Sequence, residues 1–357
     1  MIKICVIGGG AFGTNHLRAF KQMERKGEVK LLALSDLNEE ILEKQQESFG
    51  VKGYTDFRQM LEAEKPDAVT IATPDHLHKD IALEVIDRGL PLLVEKPLDV
   101  TVQGAREIDR KAREKGVFLQ VDFHKRYDPY HREAERIVKS GELGEIQYGH
   151  VIMEDVINLP RDCFPNWAPR SSPVWFLGVH FYDLLTWIIK KKPVRVVATG
   201  IKRVLRNMGV DTYDSVQAKV EYEDGISLTF DTSWILPEEF EAVVNQEFRL
   251  VGDKGMIEVD SQYRGMRGCF RKKGMKTFNL GFFEKTEDKW GNEEYHGYGF
   301  ESIMDFVYNL RFLRQGGKIE DLKGKVAMGE DGVVTTSIAA AVMESVEKQG
   351  IPVGIRL

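Results

Sequence analysis

Short apolar runs alternate with amphipathic stretches through the first third of the chain. Residues 2–7, 29–35, 68–72, 92–94 and 117–121 are compact runs rich in Val, Ile and Leu. Between them, the spacing of apolar positions predicts helices over 15–23, 39–49, 57–63, 76–88 and 102–115. Most of the apolar runs are too short to nucleate a helix. Strand, helix and strand in this cadence predict an α/β domain, a doubly wound parallel sheet covered on both faces.

After about Gln120 the texture changes. A helix over 129–139 leads to Gly141 and Gly144, and strict alternation follows. Val216, Ala218, Val220 and Tyr222 point one way, while Ser215, Gln217, Lys219 and Glu221 point the other. Asp224 and Gly225 supply a hairpin turn before Ile226, Leu228 and Phe230. A second turn, Gly252-Asp253-Lys254-Gly255, joins residues 247–251 to 256–259. The expectation is an α+β domain with a large, mostly antiparallel open sheet. Its covering helices are predicted over 179–189, 302–313 and 326–347, the second marked by the stripe Ile303, Phe306, Val307, Leu310 and Leu313. Residues 159–173, with Pro160, Pro165, Pro169 and Pro173, show no period; a loop of that length is more often functional than idle.

Composition narrows the function classes. With 357 residues, two domains are the natural expectation, because single cores rarely grow past about 250 residues. The net charge of −6 gives no reason to expect a nucleic-acid or acidic-membrane partner. Cys5, Cys163 and Cys269 are odd in number and far apart, which fits neither a disulfide framework nor a thiolate metal site and points to a reducing compartment. No apolar run approaches the roughly 18 residues of a membrane helix, and residues 2–7 run straight into glycines rather than forming a signal peptide. The expected setting is the cytoplasm.

Gly8, Gly10 and Gly13, with Ala11 and Phe12 between, form G-x-G-x-x-G directly after the first strand and at the mouth of the first helix. A tight turn, close backbone approach to a pyrophosphate and close helix-to-strand packing each need glycine there. Asp36 ends the second strand, 23 residues after Gly13. A carboxylate at that point accepts hydrogen bonds from both ribose hydroxyls and repels a 2′-phosphate, which favours NAD over NADP. Glu95-Lys96-Pro97 lies at the C-terminal end of a parallel strand, where open sheets place ligands. A lysine there donates to a substrate oxygen and eases deprotonation of a hydroxyl. His180, at the start of a helix, is the candidate acid/base, with Asp183 one turn on. His76 and His78 lack a third ligand at metal spacing, so no metal is expected.

Gly8 to Gly13, Thr73-Pro74 with His78, Glu95-Lys96-Pro97-Leu98 and Gly178-x-His180-x-x-Asp183 resemble the glucose-fructose oxidoreductase, inositol dehydrogenase and MocA family over nearly the whole chain. The resemblance implies a Rossmann NAD-binding domain over 1–123 and a substrate-binding and oligomerisation domain over 124–357. It adds Thr73, Pro74, His78, Glu95, Lys96 and Pro97 to the glycine turn and Asp36 as cofactor-binding positions. Lys96, His180 and Asp183 become the catalytic set, the substrate a sugar, inositol, sugar acid or related polyol, and the assembly a homodimer or homotetramer. In relatives, this lysine-proline bond is cis.

One departure stands out. Many dehydrogenases of this family carry an aspartate four residues before the histidine, where this chain has Phe176. Either Asp183, Asp155 or Asp162 substitutes, or the reaction is not a plain secondary-alcohol oxidation. The stretch Phe123 to Pro129 contains Lys125 and Arg126, and the long loop carries Arg161, Asn166, Trp167 and Arg170; Asp155, Lys125, Arg126, Arg161, Trp167 and Arg170 are the candidate substrate contacts. Trp stacks on sugar faces and Arg clamps carboxylates. Two alternatives stay open: a redox-neutral glycosidase that oxidises its substrate transiently with NAD, and a non-catalytic NAD or sugar sensor.

Overall fold

The computed structural model describes residues 1–357 and divides by contacts into two compact units, Met1–Tyr127 with Gly281–Val333, and Asp128–Leu280 with Val334–Leu357. The first unit opens with β1 (Ile2–Ile7), α1 (Ala11–Arg25), β2 (Val29–Ser35), α2 (Glu39–Phe49), β3 (Lys52–Tyr54), α3 (Phe57–Glu64) and β4 (Ala68–Ile71). It continues with α4 (His78–Asp87), β5 (Leu92–Val94), α5 (Val102–Lys115) and β6 (Leu119–Val121). All six strands are parallel, in the order β3-β2-β1-β4-β5-β6. The strand order therefore reverses between β1 and β4, and the carboxyl ends beside that switch point form the usual ligand crevice. Local chemistry sets the helix ends: Asn38 accepts from Glu40 and Ile41 N–H, Thr101 from Gly104 N–H, and Gly50 and Gly116 close α2 and α5 in the left-handed region.

In the second unit, α6 (Pro129–Ser140) precedes β7 (Ile146–Val156), α7 (Val179–Ile189), β8 (Pro193–Ile201) and the single turn α8 (Val204–Asn207). Then follow β9 (Ser215–Tyr222), β10 (Ser227–Leu236), β11 (Val244–Gly252) and β12 (Met256–Asp260). A short hairpin of β13 (Arg267–Phe270) and β14 (Gly274–Thr277) comes next. The large sheet runs β12-β11-β7-β10-β9-β8, with Val353–Gly354 added at the β8 edge. Every pairing is antiparallel except β7 with β10. The expected alternation on β9 holds: Val216, Ala218, Val220 and Tyr222 are buried, whereas Gln217 and Lys219 are exposed. On the buried side they join Leu184, Leu185 and Ile188 of α7 in one core.

Residues 281–333, placed by the sequence in the second domain, belong instead to the first unit. The hairpin β15 (Glu284–Glu287) with β16 (Glu293–His296) leads into α9 (Tyr298–Arg314). Ile303, Phe306, Val307 and Leu310 of α9 share a core with Leu17 and Phe20 of α1 and with Phe118. Gln22 of α1 fixes the return, donating to Tyr295 C=O at 3.2 Å and accepting from Tyr295 N–H at 2.6 Å. The amphipathic stripe was legible, but a stripe does not say which sheet it will cover. A last helix, α10 (Gly329–Glu347), starts in the first unit and continues in the second.

Candidate active site

The glycine turn joins β1 to α1. Gly8 has φ of 98°, and a Cβ added there would lie 2.4 Å from the Ala72 carbonyl oxygen. A Cβ on Gly13 would lie 2.0 Å from the Gly8 carbonyl oxygen, so both positions exclude every other residue. Gly10 is different: an added Cβ meets nothing within 4 Å, which leaves the open face a pyrophosphate needs. The first turn of α1 has neither a side-chain cap nor an acidic residue, so its N–H groups and dipole suit an anion. Gln45 of α2 steadies the turn, donating to Gly9 C=O at 2.7 Å and to Thr14 Oγ1 at 2.8 Å. Asp36 accepts from Gly9 N–H at 2.7 Å and from Asn38 N–H at 2.8 Å. This fixes a carboxylate beside the glycine turn at the carboxyl end of β2. Ala11 and Phe12 form the first turn of the helix. The set fits a dinucleotide.

Glu95, Lys96 and Pro97 follow β5, and the Lys96–Pro97 bond is cis. His78 is 1% exposed and ties this turn to the preceding one, with Nδ1 2.8 Å from Pro97 O and Nε2 2.9 Å from Thr73 O. The ring thus clasps the Thr73-Pro74 and Lys96-Pro97 backbones and is spent on them. Exposed His76 pairs only with its neighbour Asp75, at 3.7 Å. Lys96 is buried, with Nζ 5.7 Å from the centroid of the Phe12 ring.

Beside Glu95 stand two residues not singled out from the sequence, His16 and Asp122. Their ligand-type atoms and that of Glu95 lie within 4.8 Å of one another, and all three residues are buried. Burial pushes the Asp122 carboxyl up to about 7, helped by the neighbouring Glu95 charge. Burial acts on Glu95 in the same sense, but the His16 hydrogen bond and the His16, Lys96 and His124 charges outweigh it and hold Glu95 below its ordinary value. An aspartate directly after a core strand was the one available signal; His16 gave none.

Lys125 and Arg126 are buried, and Arg126 Nη2 donates to Asp331 at 2.9 Å. In the second unit, His180 and Asp183 are buried on α7. Gly178 ahead of them has a steric reason, since a Cβ there would lie 2.9 Å from the Tyr182 ring. The long proline-rich segment folds into helical turns at Leu159–Cys163, Ala168–Arg170 and Val174–Gly178. Phe176 sits in an aromatic cluster, its centroid 5.2 Å from Trp167, 6.0 Å from Phe164 and 6.3 Å from Trp234. Arg161 is committed to Asp162 and to Glu238 at 2.6 Å, so neither it nor Asp162 offers an unengaged group. Arg170 is exposed. Asp155 is buried on β7, on the same face as Val151 and Met153.

Comparison with known proteins decides the family. Residues 2–123 match the oxidoreductase family with an NAD-binding Rossmann fold, and residues 131–258 match the GFO/IDH/MocA C-terminal domain. The chain belongs to this family. It is accordingly an enzyme of an oxidoreductase family with an NAD-binding Rossmann domain. Inositol 2-dehydrogenase 2 of Saccharopolyspora erythraea is 25% identical over 97% of this chain and 93% of its own length. The rhizopine catabolism protein MocA of Rhizobium meliloti is 28% identical over 63% of this chain and 69% of its own. Among solved structures, scyllo-inositol dehydrogenase of Lactobacillus casei with bound NAD(H) and scyllo-inositol superposes with a TM-score of 0.80, at 19% identity and 99% coverage of both chains. At that identity the likeness speaks for the fold. No helix is long and apolar enough to cross a membrane.

Proposed function

We propose that this chain oxidises or reduces a ring polyol, a sugar, inositol or sugar acid, with NAD in preference to NADP. The observation that carries the reading is the crevice at the β1–β4 switch point, where an open Gly10, a fixed Asp36 and a buried Lys96 follow the carboxyl ends of β1, β2 and β5. NAD, when bound, supplies the hydride acceptor. Gly8 to Gly13 hold the pyrophosphate, and Asp36 takes the ribose hydroxyls and repels a 2′-phosphate. Lys96 polarises the reacting oxygen as a cation, and His180 exchanges the hydroxyl proton. Asp183 or Asp155, both buried in the second unit, takes the place of the aspartate that Phe176 replaces. The Phe176 and Trp167 rings suit the C–H face of a ring substrate. Assembly as a homodimer or homotetramer belongs to this reading, and because the outer face of β9 is polar, an interface there would be wet rather than apolar.

A panel of polyols, sugars and sugar acids monitored for NADH tests the reaction. Net NADH formation on at least one is expected, with turnover lost in Lys96→Ala and His180→Ala while NADH still binds. Full turnover in both variants removes the assigned roles. Hydrolysis without net NADH would mark a redox-neutral glycosidase instead. For the cofactor, calorimetry should show tighter binding of NAD than of NADP, with the difference shrinking about tenfold or more in Asp36→Ser, since a charged hydrogen bond contributes about 1.5–3 kcal/mol. Equal affinities in the native chain would refute the preference.

A further inference from the structure

Behind the Lys96 turn lie three ionisable side chains that the chemistry above leaves unused. His16 faces the sheet from α1, Glu95 follows β5 and Asp122 follows β6. Adjacent strand ends bring the two carboxyls together, for Asp122 N–H donates to the carbonyl of Val94, the residue before Glu95, at 2.8 Å. His16 Nε2 stands 3.3 Å from Glu95 Oε1 and 3.9 Å from Asp122 Oδ2. Their side chains are 0%, 8% and 2% exposed, in that order. Two carboxylates so close and so dry repel far more than in water, so one of them keeps its proton. Geometry selects which. Glu95 has the closer His16 N–H and the neighbouring charges of Lys96 and His124, whereas Asp122 faces His16, Ser302 of α9 and the Glu95 carboxylate itself.

We propose that His16 and Asp122 are positioning residues for Lys96: they keep Glu95 as the single anion of a carboxyl pair that shares one proton. The carboxyl pair behind the lysine then carries one negative charge. A second would hold the ammonium proton more tightly and offset the positive field that Lys96 presents to the substrate oxygen. The catalytic consequence rests on the role of Lys96 proposed above, but the shared proton does not. As pH rises past neutrality Asp122 ionises, the second charge appears and turnover falls.

Infrared difference spectra of the full chain between about pH 5 and about pH 9 test the proton directly. The band of a protonated buried carboxyl should disappear as pH rises, be missing in Asp122→Asn and lose its proton at lower pH in Glu95→Gln, where the neighbouring anion is gone. Acetylation of Lys96 at alkaline pH, read by peptide mass, should run several-fold faster in Asp122→Asn than in the native chain, because the amine sheds its proton more easily. On a substrate that turns over, kcat should lose its alkaline limb in Asp122→Asn and keep its acid limb. A native spectrum without the band, a band surviving in Asp122→Asn, an unchanged Lys96 profile or an unchanged alkaline limb overturns the proposal. So does Zn²⁺ or Mn²⁺ raising the melting temperature of the native chain and not of Asp122→Asn, since the three side chains would then hold a cation. If no polyol reacts while the infrared and acetylation results hold, the shared proton and its coupling to Lys96 stand and only the assigned reaction falls.

Discussion

Asp122 keeps its proton in the folded chain over a range where the unfolded chain has lost it, because its ordinary value of 3.8 is raised to about 7, by burial first and by Glu95 second. The folded state therefore binds more protons across that window, and the stability contributed by this group falls as pH rises from about 4 to about 7. Asn carries no such penalty. Asp122→Asn should melt higher than the native chain by a larger margin at about pH 8 than at about pH 5, and equal margins by calorimetry would contradict the raised value. Burial acts alike on Cys5, whose thiol is pushed up to about 12 and has no thiolate at neutral pH, while Cys163 and Cys269 are exposed. Among the site residues, Gly8, Gly10, Gly13 and Asp36 were legible because backbone sterics and strand-end position act over a few residues. His16 was not, since a histidine in a helix gives no sign that it will meet a glutamate 79 residues away.

The turn from β1 into α1 is where backbone geometry is least forgiving. Gly13→Ala would place a methyl 2.0 Å from the Gly8 carbonyl oxygen, and main-chain atoms cannot swing aside as a flexible side chain does. The helix must shift from the strand, at a cost of about 1–3 kcal/mol in urea unfolding together with weaker NAD binding. An unchanged midpoint and affinity would show the contact to be looser than drawn. Most helices and strands followed from the apolar period. The helices expected near 39–49 and 102–115 form over those residues, and the structure shows what ends them: Asn38 and Thr101 at the start, Gly50 and Gly116 at the close. Lys52–Tyr54 escaped prediction because Lys-Gly-Tyr, unlike the equally short Leu-Leu-Val of β5, is no apolar run, and it pairs beside β2. In the long loop, the helical turns at Leu159–Cys163 and Val174–Gly178 were equally hidden, since prolines mask the apolar spacing.

The first unit is made from two stretches of chain, and its core shows why both are needed. Tyr295, Phe300, Ile303, Phe306, Val307 and Leu310 pack with Leu17, Phe20, Met23 and Phe118. Each large side chain left exposed forfeits about 1.5–3 kcal/mol, so removal of this set costs about as much as the whole stability of a typical domain. Residues 1–127 expressed alone should be aggregated or molten, whereas the same residues joined to 281–333 should unfold cooperatively and bind NAD. A cooperative melt and NAD binding by residues 1–127 alone would show that the returning segment is dispensable.

The sequence alone determined what short-range physics governs: the strand-helix cadence, the helix caps, the glycine turn and the alternation on β9. Each depends on dihedral preference, sterics or periodicity within a few residues. Tertiary structure decided the rest. It returned residues 281–333 to the first sheet, paired β7 in parallel with β10, turned His78 into a backbone clasp and gathered Phe176 with Trp167 and Trp234. It also brought His16, Glu95 and Asp122 into one dry cluster. The charge state of such a cluster depends on desolvation and on the distance to other charges, and neither exists until the chain has folded.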